Sequence, residues 1–411
     1  MHILFLTDNF PPEGNAPASR TFEHAREWVD KGHKVTVISC APNFPEGKIF
    51  EGYTNKWLSK QKIKGISVWR VKTYITANEG FIKRTIDFVS FMISSMFFGL
   101  FVRKVDVVVG TSPQFFTVIS AWALAKFKRV PFVFELRDIW PASIIAVGAM
   151  RGSWIIKILE KLELFLYRQA DLIISVTHTF KSELQGRGVS ANKIKVVLNG
   201  VDLLKYKPLA EKDADYLEKY QLNGKFVVGY IGTHGLAHAL DNILDAAELL
   251  NNEKNIRIVF AGGGADRSRL EKSVVDRGLT NVVMIPSQPK NQMPQLWSLC
   301  DVSLVHLKNS PLFKTVIPSK IFESMAMGLP IVICLPEGEA TEIIRNTNCG
   351  LVVLTERPDK LSEIILKLEK DIDLRKGFAN ASRIAAKNFN RKKLALDMLW
   401  HIEGVVRDHK A

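Results

Sequence analysis

Short unbroken runs of aliphatic, β-branched and aromatic residues recur along the chain, separated by longer stretches in which apolar residues return every third or fourth position. The first pattern predicts strands buried on both faces, the second amphipathic helices. Their alternation predicts an α/β fold of parallel sheets wrapped by helices. Strands are expected at 2–7, 34–40, 68–71, 106–111, 132–136, 172–176 and 194–198. The pattern lapses through the polar stretch 199–225 and resumes with strands at 226–232, 256–261, 281–285, 302–307, 331–334 and 350–353. Two domains are therefore expected, 1–203 and 204–387, each with its own core and with one cleft between them. After Pro358 the pattern is helical, and the last helix, about 388–411, is expected to return to the first domain.

One segment departs from the helical pattern. Phe88 to Val102 holds fifteen residues without a charge, between Lys83 and Arg84 on one side and Arg103 and Lys104 on the other. As a helix it extends only about 22 Å, short of a hydrocarbon layer of roughly 30 Å. Two readings stand: a helix lying in a membrane interface, or a buried core helix.

The length of 411 residues suits two cores of roughly 200 residues each. The composition, 47% hydrophobic and 24% charged with a mean hydropathy of +0.04, excludes a disordered or fibrous chain. A net charge of +14 calls for an anionic partner. Nucleic acid is set aside, because there is no arginine-rich arm, zinc-finger spacing or aromatic-interleaved basic motif; a membrane surface or a phosphorylated substrate is left. Cys40, Cys300, Cys334 and Cys349 are far apart, mostly in or beside apolar runs, as reduced thiols in a cytoplasmic protein would be. The opening HILFLT reads as a strand rather than a signal peptide, which also points to the cytoplasm.

In open α/β sheets ligands bind beyond the carboxyl ends of the strands. After the first strand comes Thr7-Asp8-Asn9-Phe10-Pro11-Pro12-Glu13-Gly14, where Asn9 and Gly14 are candidates for ligand contact and an ordinary turn is the other reading. After the strand at 132–136 comes Glu135-Leu136-Arg137-Asp138-Ile139-Trp140-Pro141; Arg137 and Asp138 suit sugar hydroxyls and phosphate, or pair with each other. His178 either donates to an acceptor or caps the helix that follows. In the second domain, Gly232-Thr233-His234-Gly235 and Gly262-Gly263-Gly264 each precede a helix that can receive phosphate or ribose. The strongest constellation runs from Pro318 to Val332. Pro318 and Ser319 open a short helix, Lys320 and Glu323 lie one turn apart at its start, and Gly328 ends it. Lys320 and the free amides would meet a pyrophosphate, and Glu323 would accept two ribose hydroxyls; a surface Lys–Glu pair is the competing reading.

These residues resemble glycosyltransferase family 4 of the GT-B enzymes, and within it the WbuB-like transferases of bacterial O-antigen and capsule assembly. The matching stretches span most of the chain: GHKVTVIS at 32–39, KIKVVLNGVDLLKYKP at 193–208, YIGTHGLAHALDNILDAA at 230–247, FAGGGADRSRLE at 260–271, and PSKIFESMAMGLPIV at 318–332. The resemblance implies two facing Rossmann-like domains with parallel sheets, a C-terminal helix crossing back, and retaining transfer from a nucleotide sugar, with Lys320 and Glu323 at the catalytic centre. The family's E-x7-E motif carries its second glutamate onto Glu323 and its first onto Thr315, which is not acidic. The family's Arg and Lys after the first strand of the second domain fall on Thr233 and His238, so neutralisation of the pyrophosphate is expected to shift to Lys320. Gly232, Gly235 and Gly263 would belong to the donor site, with Arg267 and Gln288 near the nucleoside and Gly338 and Glu339 near the donor sugar.

No resident cofactor and no metal is expected, because Asp213-Ala214-Asp215 and Asp371-Ile372-Asp373 fall away from strand ends. The implied donor is UDP-linked, with an N-acetylated sugar such as N-acetylfucosamine. The implied acceptor is a sugar on undecaprenyl diphosphate, met by a peripheral protein at the inner face of the plasma membrane. A nucleotide-sugar 2-epimerase and a non-catalytic nucleotide-sugar-binding subunit are the alternatives on the same fold.

Overall fold

The computed structural model describes residues 1–44, 46–76, 81–112, 114–139 and 154–411, except the side chains of Phe81, Ile82 and Ile155. Trp140 and Pro141 lie outside the described residues. The chain divides into two compact units, Met1–Leu198 with Arg391–Ala411, and Asn199–Asn390.

Among the described residues of the first unit eight strands form one sheet: β1 (His2–Leu6), β2 (Lys34–Cys40), β3 (Leu58–Ile63), β4 (Ile66–Val71), β5 (Val107–Thr111), β6 (Phe132–Leu136), β7 (Leu172–Ser175) and β8 (Ile194–Val196). Their order is β3-β4-β2-β1-β5-β6-β7-β8. All pairs are parallel but β3–β4. β1, β5, β6 and β7 are buried along their whole length, which is why they read as unbroken apolar runs. β3 departs from that pattern and was not anticipated. Its sequence LSKQKI alternates, with Lys60 and Lys62 exposed on an antiparallel edge strand turned by Lys64-Gly65, both at positive φ.

Alternate residues of the sheet feed two cores. On one face Ile3, Phe5, Val35 and Val37 pack with Trp28, Met398 and Ile402. On the other Leu4, Leu6 and Ile38 pack with Phe91, Val118 and Leu124. The C-terminal helix Arg391–Lys410 returns to this unit as expected, and Trp28 Nε1 donates to the Ala395 carbonyl at 2.7 Å.

Helix Phe81–Leu100 has one face in the core and one face exposed. Phe91 and Ser95 are fully buried, whereas Ile86, Ile93 and Phe97 are about half exposed, at 48%, 55% and 54%. No helix among the described residues is long and apolar enough to cross a membrane.

In the second unit six parallel strands, β9 (Phe226–Ile231), β10 (Ile256–Ala261), β11 (Val282–Ile285), β12 (Val302–His306), β13 (Ile331–Cys334) and β14 (Gly350–Val353), take the order β11-β10-β9-β12-β13-β14. This is the order of a doubly wound nucleotide-binding sheet, whose winding reverses between β9 and β12 and opens a crevice at their carboxyl ends.

Candidate functional site

Three loops meet at that reversal. Gly232, at φ +147°, leaves β9, and Gly262, also at φ +147°, leaves β10. A Cβ on Gly262 would lie 1.9 Å from the Gly232 carbonyl oxygen, so the two loops touch backbone to backbone and only glycine fits. His306, the last residue of β12, ties down the β9 loop: its Nδ1 donates to the His238 carbonyl at 2.7 Å, and its Nε2 accepts from Asn242 Nδ2 at 2.7 Å. Gly235 opens the single turn Leu236–His238 of this loop, and exposed Thr233 offers its carbonyl to the Tyr230 hydroxyl at 2.8 Å.

The helix Lys320–Ala326 starts at the same place. Ser324 Oγ lies 2.6 Å from Ser303 Oγ on β12, and Gly328, at φ +69°, turns the chain out of the helix toward β13. Pro318 and Ser319 offer their carbonyls to Ile321 and Phe322 and enter no side-chain cap. Lys320 is not half of a surface pair. Its Nζ is shielded from solvent with no hydrogen-bond partner, 3.7 Å from the centroid of the Tyr230 ring. It stands 2.8 Å from where a Gly232 Cβ would be. Burial pulls its pKa down to about 7, against the opposing pull of Glu323. An unpaired shielded cation on a glycine loop is a site short of an anion.

Glu323 is half-buried, and its Oε2 accepts from Trp297 Nε1 at 3.3 Å. Thr315, at the family's first acidic position, donates to the Leu312 carbonyl at 2.7 Å. His238 is no substitute cation, since burial and the Lys320 charge hold it at about 4. His234 is buried with neither ring nitrogen partnered, and burial with the Arg267 charge also holds it at about 4.

Arg267 is occupied by the scaffold. Nη1 donates to the carbonyls of Gly262 and Ile285 at 2.5 and 2.8 Å, and Nη2 pairs with Glu271 at 2.6 Å. Gly263 accepts from the His234 amide at 2.8 Å. Gln288 accepts from the Tyr216 hydroxyl at 3.3 Å. Gly338 lies against the Lys314 carbonyl, and Glu339 begins the helix Glu339–Thr347. Asp213 and Asp371, from the two Asp-x-Asp strings, each cap a helix, accepting from the Tyr216 and Leu374 amides at 3.1 and 2.9 Å. Sequence reasoning missed Tyr230, Trp297 and His306, the partners of these groups. A polar residue ending an otherwise aliphatic strand, as His306 does, was the available signal.

In the first unit, Asn9 Oδ1 accepts from Asn15 Nδ2 at 2.5 Å, and Asn15 caps the following helix through the Ala18 amide at 3.0 Å. Gly14 is exposed, with open space around it, and shows no close approach. His178 is exposed at the first turn of its helix, and the cap is Thr177, whose hydroxyl accepts from the Phe180 amide at 3.0 Å. The amides of Arg137 and Asp138 donate to Ser112 Oγ at 2.8 and 3.2 Å. Arg137 Nη1 is shielded without a partner, and burial draws this guanidinium down to about 10.

A sheet of this order with a glycine-lined cation at its switch point is a nucleotide-binding arrangement, and the comparisons with known proteins are narrower. The family model described as Glycosyl transferases group 1 matches residues 213–385, and that described as Glycosyltransferase Family 4 matches residues 18–204. A protein named as a colanic acid biosynthesis glycosyl transferase, WcaI of Escherichia coli (strain K12), is 25% identical over 98% of this chain and 100% of its own. An N-acetylgalactosaminyltransferase of Campylobacter jejuni, named as acting on a diphospho-undecaprenol-linked disaccharide, is 23% identical over 58% of this chain and 62% of its own. Anabaena HepE, solved with UDP-glucose, superposes with a TM-score of 0.73 at 17% identity, over 98% of this chain and all of that one. The chain belongs to glycosyltransferase family 4, with the GT-B fold, and is a glycosyltransferase of polysaccharide biosynthesis.

Proposed function

We propose that the protein transfers a sugar, with retention of anomeric configuration and without a metal, from a UDP-sugar to a lipid-linked sugar acceptor at a membrane surface. The observation that carries the donor half is the Lys320 ammonium, shielded and unpartnered against Tyr230 and Gly232. A pyrophosphate would supply its missing counter-charge, with Glu323 accepting from the ribose hydroxyls. In the reaction the bond from the anomeric carbon to the β-phosphate oxygen breaks and a bond to the acceptor oxygen forms on the same face. The acceptor hydroxyl proton passes to the departing phosphate oxygen. Lys320 stabilises the charge that develops there, so no separate base is needed. The capping roles of Asp213 and Asp371 support a reading without metal.

The test is mass spectrometry of a short-chain prenyl-diphosphate N-acetylglucosamine incubated with the protein and a panel of UDP-, GDP- and dTDP-sugars in EDTA. One added sugar from one UDP donor is expected, and no product with any donor would overturn the proposal. Glu323→Ala removes charged hydrogen bonds worth roughly 1.5–3 kcal/mol. It is expected to lower kcat/KM by about ten- to a hundredfold. Unchanged kinetics would remove Glu323 from the site.

The membrane half of the proposal rests on helix Phe81–Leu100 and its surroundings. Ile93, Phe97 and Phe101 are exposed at 55%, 54% and 59%, and Phe127 on the neighbouring helix at 71%, among Lys83, Arg103, Lys104 and Lys126. Each phenylalanine set into the acyl boundary contributes roughly 1.5–3 kcal/mol. In a sedimentation assay with anionic vesicles, Phe97→Asp with Phe101→Asp is expected to weaken partitioning by at least about a hundredfold. Equal sedimentation of variant and wild type would refute a membrane role for this face.

A further inference from the structure

Among the described residues the Glu323 carboxylate has one hydrogen-bond partner, the indole of Trp297, whose Nε1 donates to Oε2 at 3.3 Å. Trp297 lies on the helix Met293–Ser298 and is fully buried, so its N–H has to find an acceptor inside the protein. Trp28, equally buried, spends its N–H on a backbone carbonyl, that of Ala395. Trp297 turns instead to a half-buried carboxylate on the helix that carries Lys320.

The indole stands on a rigid base. The Trp297 carbonyl accepts from the Cys300 amide at 3.2 Å. A Cβ on Gly229 of β9 would lie 2.2 Å from Cys300 Sγ, so this turn packs straight onto a central strand of the sheet. Asp301 then locks to β9 in both directions: its amide donates to the Val227 carbonyl, and its carboxylate accepts from the Val227 amide, each at 2.8 Å. The torsion that turns a glutamate carboxylate about its last carbon–carbon bond is broad, so an untethered Glu323 would sample many planes. A single donor from the buried side fixes Oε2 and leaves Oε1, with the remaining lone pairs, for two adjacent hydroxyls.

We infer that Trp297 is a positioning residue that sets a preference for ribonucleotides, by orienting the Glu323 carboxylate to accept both hydroxyls of a cis-diol. The inference rests on Glu323 meeting the ribose, and goes beyond that reading by assigning the selectivity to the residue behind the carboxylate. A deoxyribose brings one hydroxyl and leaves part of the oriented carboxylate unmet, so the orientation gains little there.

Calorimetric titration of the full chain with UDP and with deoxyuridine diphosphate tests this. Wild type is expected to bind UDP about ten- to a hundredfold more tightly, the worth of one hydrogen bond to a charged acceptor. Trp297→Phe is expected to narrow that ratio at least about fivefold, through weaker UDP binding with the deoxynucleotide nearly unchanged. Equal losses for both nucleotides, or an unchanged ratio, would overturn the inference, since a tryptophan needed only for packing weakens both alike. Absence of any discrimination by wild type would instead remove the ribose from Glu323 and with it the reading on which the inference rests. A second measurement needs no substitution at Trp297. In the indole region of the proton–nitrogen NMR spectrum, one resonance is expected to move in Glu323→Gln. The same resonance should move when UDP binds wild type, and move less with the deoxynucleotide. No indole responding to Glu323→Gln would also overturn the inference.

Discussion

Lys320→Met is expected to lower kcat/KM for transfer by about a hundred- to a thousandfold, the cost typical of removing one preorganised group from a developing oxyanion. The same variant is expected to melt at a higher temperature than wild type near neutral pH. Lys320 titrates at about 7 in the folded protein against an ordinary 10.5, so between these values the unfolded chain binds more protons than the folded one. The contribution of this group to stability therefore rises with pH across that window and is least favourable below it. The gain in melting temperature of Lys320→Met over wild type should be largest near pH 6.5 and fade toward pH 10.5. A lysine kept for structure would show the reverse, a loss of stability with little loss of turnover.

Donor binding has its own pH signature. A pyrophosphate diester does not titrate near neutrality, so the apparent affinity for a UDP-sugar should be level below pH 7. It should fall by up to about tenfold per unit above it, until the higher pKa of the complex is reached. Lys320→Arg should flatten that profile, because a guanidinium stays charged throughout. Calorimetric titration of a UDP-sugar across this range reads it directly, and a flat wild-type profile would mean that Lys320 does not meet the diphosphate.

The largest expected loss of stability lies in the other unit. Arg20 and Glu135 are buried, at 1% exposure each, and Arg20 Nε contacts Glu135 Oε1 at 2.8 Å. The guanidinium also donates to the carbonyls of Leu198 and Val197, at 2.9 and 3.1 Å. Burial alone would raise the Glu135 carboxyl, but the Arg20 and Arg137 charges outweigh it and hold it below its ordinary value. Arg20→Met leaves a buried carboxylate that must take up a proton or stay unpaired, a loss of roughly 3–5 kcal/mol. Its contribution in the wild type is present at neutral pH and is lost only as pH falls through the lowered folded value. Denaturant titration should therefore show the variant destabilised at pH 7 and converging on wild type in acid. Arg20→Met with Glu135→Leu should recover most of the loss, since an apolar pair of similar volume leaves no charge behind. A change below about 1 kcal/mol in Arg20→Met would place the pair among surface-like ion pairs.

The sequence by itself determined the α/β class, the strands of both parallel sheets, the returning C-terminal helix and the helix from Lys320 with Glu323 one turn on. Strands buried on both faces must be apolar throughout, and a helix opened by Pro-Ser and closed by glycine is written in local chemistry. The edge strand Leu58–Ile63 escaped because a strand exposed on one side needs no continuous apolar run. Asp213 and Asp371 read as lying away from strand ends, but only the coordinates gave them work as caps. What tertiary structure alone decided is the electrostatic state of the charged groups. Lys320 is written beside Glu323, yet its ammonium is shielded by Tyr230 from β9, distant in sequence and adjacent only in the folded sheet. Asp87 reads as one charge in an apolar helix until folding turns it toward a cavity it shares with Asp8. Local pattern specifies which residues are apolar and where the chain turns; desolvation and Coulomb interactions depend on which distant segments the fold brings alongside.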